Sequence, residues 1–139
     1  MFPYAVCAQA GPTCLYLQSE AVAHTIVRPE SGTLGDTIEV SGLTLDQIFA
    51  ELQLAHCDYL KMDCEGAEYD ILFNTSPATL HKIKHLCLES REGATGFSHH
   101  DLVQFLTERG FAVGLTPCPA YRQQALLYAR KLDPVTGNQ

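Results

Sequence analysis

The stretch from Cys57 to Glu68, Cys-Asp-Tyr-Leu-Lys-Met-Asp-Cys-Glu-Gly-Ala-Glu, constrains this chain more than any other. Tyr59, Leu60, Met62 and Cys64 make a short apolar run, Gly66 interrupts it, and beyond Ala67 the apolar residues take helical spacing. That pattern predicts a buried parallel strand, a tight turn and a helix. In an open α/β sheet, ligands sit just outside the carboxyl ends of the strands. A strand ending in Asp63, with Glu65 and Glu68 close behind, therefore carries three carboxylates to such a rim, where a polar or cationic group is expected to bind.

The remaining elements follow in order. Phe2–Cys7 and Thr13–Leu17 read as two strands around the turn dipeptide Gly11-Pro12 and predict a hairpin. Periodicity fades from Gln18 to Asp36, where Ser31 to Gly35 reads as a loop with His24 and Arg28 on its approach. Long polar loops on α/β domains often serve the substrate. Ile38 to Val40 alternates as a short strand. Thr44 as N-cap and Gln47 as its capping-box partner then open a helix whose Leu45, Ile48, Phe49 and Leu52 form one apolar stripe.

Downstream, Ala67–Phe73 is predicted helical, and Ser76-Pro77 starts a further helical turn, with Lys82 and Lys84 near its end. His85–Ser90 reads as a second buried strand with Glu89 at its carboxyl end. Ser98 and Asp101 cap a helix that Gly110 stops. Phe111–Leu115 and Ala125–Arg130 predict an antiparallel pair closing the sheet. Residues 1–132 thus form one α/β domain, and Asp133–Gln139 is expected to be a frayed tail.

Composition narrows the partners. With 46% hydrophobic and 18% charged residues, the 139-residue chain has room for one ordinary globular core. A net charge of -7 and the lack of a basic cluster argue against nucleic acid and against an anionic membrane surface. No apolar run is long enough to cross a bilayer, and Met1 to Tyr4 lacks the start of a signal peptide, so a cytoplasmic location is expected. The six cysteines contain no C-x-x-C pair. Cys57, Cys64 and Cys87 sit in apolar runs, and reduced thiols are expected rather than disulfides or a metal site. His99-His100-Asp101 is discounted as a metal site because adjacent histidines at a helix start point in different directions.

The pattern Lys-x-Asp-x-Glu-Gly-x-Glu at 61–68, with Thr44-Leu45-Asp46 before it and a strand ending in Glu89 after it, resembles the FkbM family of S-adenosylmethionine-dependent methyltransferases. The likeness is good over about residues 44–130 and loose before them. It implies a Rossmann-like, doubly wound sheet, mostly parallel, in the strand order 3-2-1-4-5-7-6 with an antiparallel C-terminal hairpin. On that map the Tyr59 strand is the fourth and the Phe2–Cys7 strand about the third. The first two strands, with the glycine-rich cofactor loop and the ribose-binding acid, are expected to be missing. The sheet would then be incomplete, leaving the fourth strand as an exposed apolar edge that pairs with something.

The resemblance implies transfer of a methyl group from S-adenosylmethionine to an oxygen of a sugar, polyketide or other small-molecule acceptor. Asp63 and Glu65 are the catalytic candidates, aligning the acceptor and taking its proton. Glu89, His24 and Glu68 are the substrate-binding candidates, and no metal is assigned. Each has a plainer reading. Asp63 and Glu65 can stabilise the following helix N-terminus, Glu68 can pair with Lys61 or Arg91, and His24 can be solvated. Two further readings remain. One is a non-catalytic remnant that forms homo-oligomers through the exposed strand edge. The other is a hard-cation site for hydrolysis built from Asp63, Glu65 and Glu68.

Overall fold

The structure, a computed structural model, describes residues 3–18, 23–28, 36–93 and 95–133. Phe2, the loop Ser31–Gly35 and most of the expected tail lie outside the described residues. Near the start, β1 (Tyr4–Val6), β2 (Gly11–Tyr16) and β3 (Thr37–Leu43) form a small sheet in the order β1-β3-β2. The first two strands are therefore not a hairpin. β3 lies between them, parallel to β1 and antiparallel to β2. Gly11-Pro12 opens β2 instead of making the turn, and Pro12 is tolerated because β2 is an edge. The chain crosses over β3 through Cys7–Ala10, anchored by the Cys7 amide donating to Leu43 O (2.9 Å). The approach is so close that a Cβ at Gly42 would collide with Cys7 Sγ.

Helix α1 (Leu45–Glu51) starts at Thr44 with the expected capping box to Gln47. It leads to β4 (Leu60–Met62), α2 (Glu68–Phe73), α3 (Pro77–His81), β5 (His85–Arg91), α4 (His99–Glu108), β6 (Phe111–Pro117) and β7 (Gln124–Lys131). Ser76 caps α3 with Pro77 in its first position, and Ser98 with Asp101 boxes α4. The second sheet runs β4-β5-β7-β6, with β4 parallel to β5 and the other two pairings antiparallel. β1 is not part of it, so the fold is a mixed α/β arrangement of two sheets. Among the described residues, β5 is the sole strand partner of β4.

Strand alternation decides which face of the larger sheet is covered. The register sets Met62 beside Leu88 and Leu88 beside Leu127, with Leu86 beside Ala129. These side chains meet Leu45 and Phe49 of α1, Ile71 and Leu72 of α2, Leu80 of α3, and Leu102 and Leu106 of α4 in one core. Each fully buried aliphatic side chain in it contributes about 2 kcal/mol. The opposite face carries Lys61, Cys87 and Tyr128 in one row and Glu89 beside Leu126 in the next. There Tyr59 is 55% exposed, and Leu126 and Tyr128 are about half exposed. The expectation of a strand buried on both faces fails for this reason: β4 is covered on one side only, and Tyr59, Lys61 and Asp63 fall on the other. No helix among the described residues is long and apolar enough to cross a membrane.

One contact between helices was not visible in the sequence. Asp46, in the first turn of α1, accepts hydrogen bonds from the Ser76 amide (3.0 Å), from Ser76 Oγ (2.5 Å) and from Thr79 Oγ1, and so ties α1 to the start of α3. Burial pushes its carboxyl up, but the hydrogen bonds from Ser76 and Thr79 outweigh it and hold the group below its ordinary value of 3.8. Because the folded value is the lower one, this stabilisation is present above the unfolded value and is lost as pH falls through the folded value. Asp46→Ala is expected to lower unfolding free energy by about 1–3 kcal/mol at neutral pH. In denaturant titrations the gap to wild type should close as the solution is acidified; a gap that persists unchanged in acid would contradict this account.

Candidate active site

The site begins at the turn between β4 and α2. Glu65 has a positive φ of 52° and Gly66 one of 102°. A left-handed conformation at glutamate costs about 1–2 kcal/mol, so neighbouring contacts must hold it. Two do. Arg91 Nη2 lies 2.8 Å from Glu65 Oε2, and Thr25 Oγ1 donates to the Glu65 carbonyl at 3.1 Å. Gln124, the cross-strand neighbour of Arg91, lies with its carboxamide against that guanidinium, and the amide orientation that satisfies both groups turns its oxygen to accept from Arg91 Nε (3.3 Å) and Nη2 (2.7 Å).

Glu68 does something different from what was expected. It is fully buried and pairs with neither Lys61 nor Arg91. Its Oε1 accepts from the Cys64 amide (2.6 Å) and its Oε2 from the Gly66 amide (3.0 Å). Ala67 caps α2 without a side-chain bond, so the Glu68 carboxylate closes the turn in its place. Burial raises the Glu68 carboxyl above its ordinary value of 4.5, against the opposing pull of those amides. Burial, followed by the Glu68 charge, likewise pushes the Cys64 thiol up to about 11. With its oxygens taken and no exposed surface, Glu68 does not line the rim as a substrate contact.

Asp63 follows β4 directly and its side chain is 43% exposed. It opens on a cleft of about 160 Å³ whose other walls are Glu65, Glu89 and Arg91 on one side and Cys118, Gln124 and Leu126 on the other. Lys61 Nζ stands 3.9 Å from both Asp63 Oδ2 and Glu89 Oε1, bridging the two acids across the strands. Glu89 lies inside β5 rather than at its last residue, because the strand continues to Arg91. Asp63, Glu65 and Glu89 thus share one cleft. His24 is not among its lining residues; its Nδ1 accepts from the Gln18 amide (3.1 Å). Since Glu68 is committed to the turn, Asp63, Glu65 and Glu68 do not converge on a common point, and among the described residues no three His, Cys, Asp or Glu side chains group as metal ligands. His99 places Nδ1 3.1 Å from Glu92 Oε1 and Nε2 3.3 Å from the Ser90 carbonyl.

Arg91, Gln124 and Cys118 were not among the residues selected from the sequence. Arg91 and Gln124 sit at opposite ends of a long connection, and only strand pairing brings them together. The sole prior signal was the basic residue at the end of the β5 run.

The acids thus gather in one cleft of an α/β domain, at the carboxyl end of β4, where open sheets of this class hold their ligands. Comparison with known families makes this specific: the methyltransferase FkbM domain matches residues 4–113, and the chain belongs to that family. It is also 38% identical over 86 residues to the AMB antimetabolite synthetase AmbE of Pseudomonas aeruginosa, an alignment covering 60% of this chain and 4% of that protein. The chain therefore spans a small part of the length of this curated relative. No solved structure matches it.

The turn generates a direct test. Glu68→Gln would set an amide NH2 against one of the two backbone N–H donors that the carboxylate serves, and a loss of about 1–3 kcal/mol in unfolding free energy is expected. Because the folded value is raised, the wild type loses stability as pH rises through it, and the variant should lack that decline. Parallel pH–stability curves for the two proteins would show that Glu68 is not the group responsible.

Proposed function

We propose that this chain carries the acceptor side of an S-adenosylmethionine-dependent methyltransferase that methylates an oxygen on a sugar, polyketide or other small molecule. The observation that carries the reading is the cleft at the ends of β4 and β5, with Asp63 and Glu89 on its rim, in a member of a methyltransferase family. Likeness to a protein named as an antimetabolite synthetase supports a small-molecule acceptor. We also assign it to the cytoplasm, which suits six free cysteines.

Enzymes of this family generally depend on S-adenosylmethionine, which supplies the methyl group when bound. The described residues do not fit that cofactor. A cradle needs free backbone amides beside glycine. Here the Cys64 and Gly66 amides already serve Glu68, and Gly42 is packed against Cys7. What these residues can do is hold an acceptor and take its proton. Asp63 is the stronger candidate, since Lys61 is 3.9 Å away and shared with Glu89, whereas Glu65 is locked to Arg91 at 2.8 Å. Glu65 then acts by fixing the turn and Glu89 by orienting the acceptor.

Transfer of labelled methyl from S-adenosylmethionine, measured on the complete gene product, tests this. Asp63→Asn should reduce the rate by roughly 10²–10⁴ while leaving the unfolding midpoint in place. Full activity in that variant would remove Asp63 from the reaction.

A second reading, a non-catalytic domain that self-associates, is favoured by an edge of β4 that has no strand partner among the described residues, and by the open face beside it. Two β4 strands pairing antiparallel about Met62 would set Lys61 of each copy against Asp63 of the other. Sedimentation over a wide concentration range should then show a dimer that Lys61→Asp weakens. A monomer throughout would dismiss this reading.

A further inference from the structure

The cleft at Asp63 does not end at Arg91. It continues into a wider depression of about 730 Å³ beneath the β6–β7 loop, lined by Tyr121, Arg122 and Gln123, and the two share Arg91 and Gln124 as their common wall. Charge changes sign along this path. At the β4 end, Asp63 and Glu89 exceed the single Lys61 between them. In the middle, Glu65 and Arg91 cancel. At the far end, Arg122 is exposed and has no ion pair among the described residues. Besides Arg91, which Glu65 neutralises, Arg122 is the one charged residue lining this depression, so the far end is positive in a protein of net charge -7. Guanidinium groups match carboxylate and phosphate oxygens in a forked geometry that lysine lacks.

From this continuity we infer that the acceptor is a hydroxylated small molecule bearing an anionic group, a carboxylate or a phosphate. Its anion lies against Arg122 beside Tyr121, and its hydroxyl reaches back past Arg91 to Asp63. The acidic end accepts a hydroxyl proton but repels an anion, so a bound molecule has one orientation. A neutral polyol has no such preference. The inference rests on the reading of the Asp63 cleft as the acceptor site.

A matched series tests it: glycerol, glycerate and glycerol 3-phosphate share one framework and differ in the anion. Each is titrated into the full chain and followed by amide chemical shifts. Both anions should bind roughly tenfold more tightly than glycerol, shifting Tyr121–Gln124 together with the residues around Asp63. Arg122→Glu should abolish the difference, and Arg122→Lys should restore part of it. The stronger of the two anions identifies the group. Equal binding of all three, binding of none, or a preference unchanged in Arg122→Glu would overturn the inference. Failure here is separable from failure of methyl transfer. Transfer to an anionic acceptor at a rate unchanged in Arg122→Glu would leave the methyltransferase and remove the anion subsite. Arg122-dependent anion binding in a gene product that transfers no methyl would do the opposite.

Discussion

The buried carboxylate of Glu68 is the contact on which the site depends. Withdrawing a carboxylate from water is costly unless its oxygens are hydrogen-bonded. Here Cys64 and Gly66 supply two amide donors, which would themselves be left without partners in a turn that no side-chain cap closes. Each half therefore compensates the other. The result is a rigid bend in which Gly66 takes a positive φ and Glu65, unusually for a glutamate, does too. Rotating Glu65 into that conformation delivers its carboxylate to Arg91 and leaves Asp63, two residues earlier, facing the cleft. Three acids close in sequence thus acquire three separate tasks: one holds the turn, one anchors it to β5, and one stays open to the cleft.

The sheet explains why Asp63 is open at all. Along β4 the side chains alternate, with Leu60 and Met62 turned to the helices and Tyr59, Lys61 and Asp63 turned away. The same alternation on β5 and β7 puts Cys87, Glu89, Leu126 and Tyr128 on the uncovered side. Its chemistry is mixed, aromatic and aliphatic near the middle and charged toward the strand ends. The covered side is almost wholly aliphatic. A one-residue slip in the β4–β5 register would exchange the two sets, exposing Met62 and burying Lys61 and Asp63. Core packing thereby fixes the position of the acids with no direct contact to them.

How much of this was legible in the sequence depends on the range of the interaction. The capping boxes at Thr44 and Ser98, the Ser76-Pro77 start and the strand-turn-helix at 60–73 are local, and all appear where the residues placed them. The order of β4, β5, β7 and β6 also agrees with the family resemblance. The N-terminal pairing was misread because a turn dipeptide and two flanking apolar runs imply a hairpin unless a third strand competes. β3, more than twenty residues downstream of β2, does compete, and nothing local announces it. Glu68 was misassigned for a related reason. A glutamate in the first turn of a helix reads as exposed, and its full burial follows from how α2 packs in the tertiary fold, which no local pattern announces. Arg91, Gln124 and Arg122 became visible only when strand pairing closed the cleft.

Those three residues alter the chemistry that the acids alone would suggest. Three carboxylates at a rim look like a site for a cation, and in isolation they would repel any anionic ligand. Arg91 changes this by pairing with Glu65 at 2.8 Å and so consuming its charge. Lys61 halves what remains by standing between Asp63 and Glu89 at the same 3.9 Å from each. The balance left at the β4 end is a single negative charge, enough to attract a hydroxyl proton without assembling the dense oxygen cage that a hard cation requires. A proton acceptor in such a place needs one free lone pair aimed at the ligand more than it needs a large field. Of the acids at this rim, Asp63 is the one adjoining the fixed turn whose carboxylate is neither buried nor locked to a guanidinium.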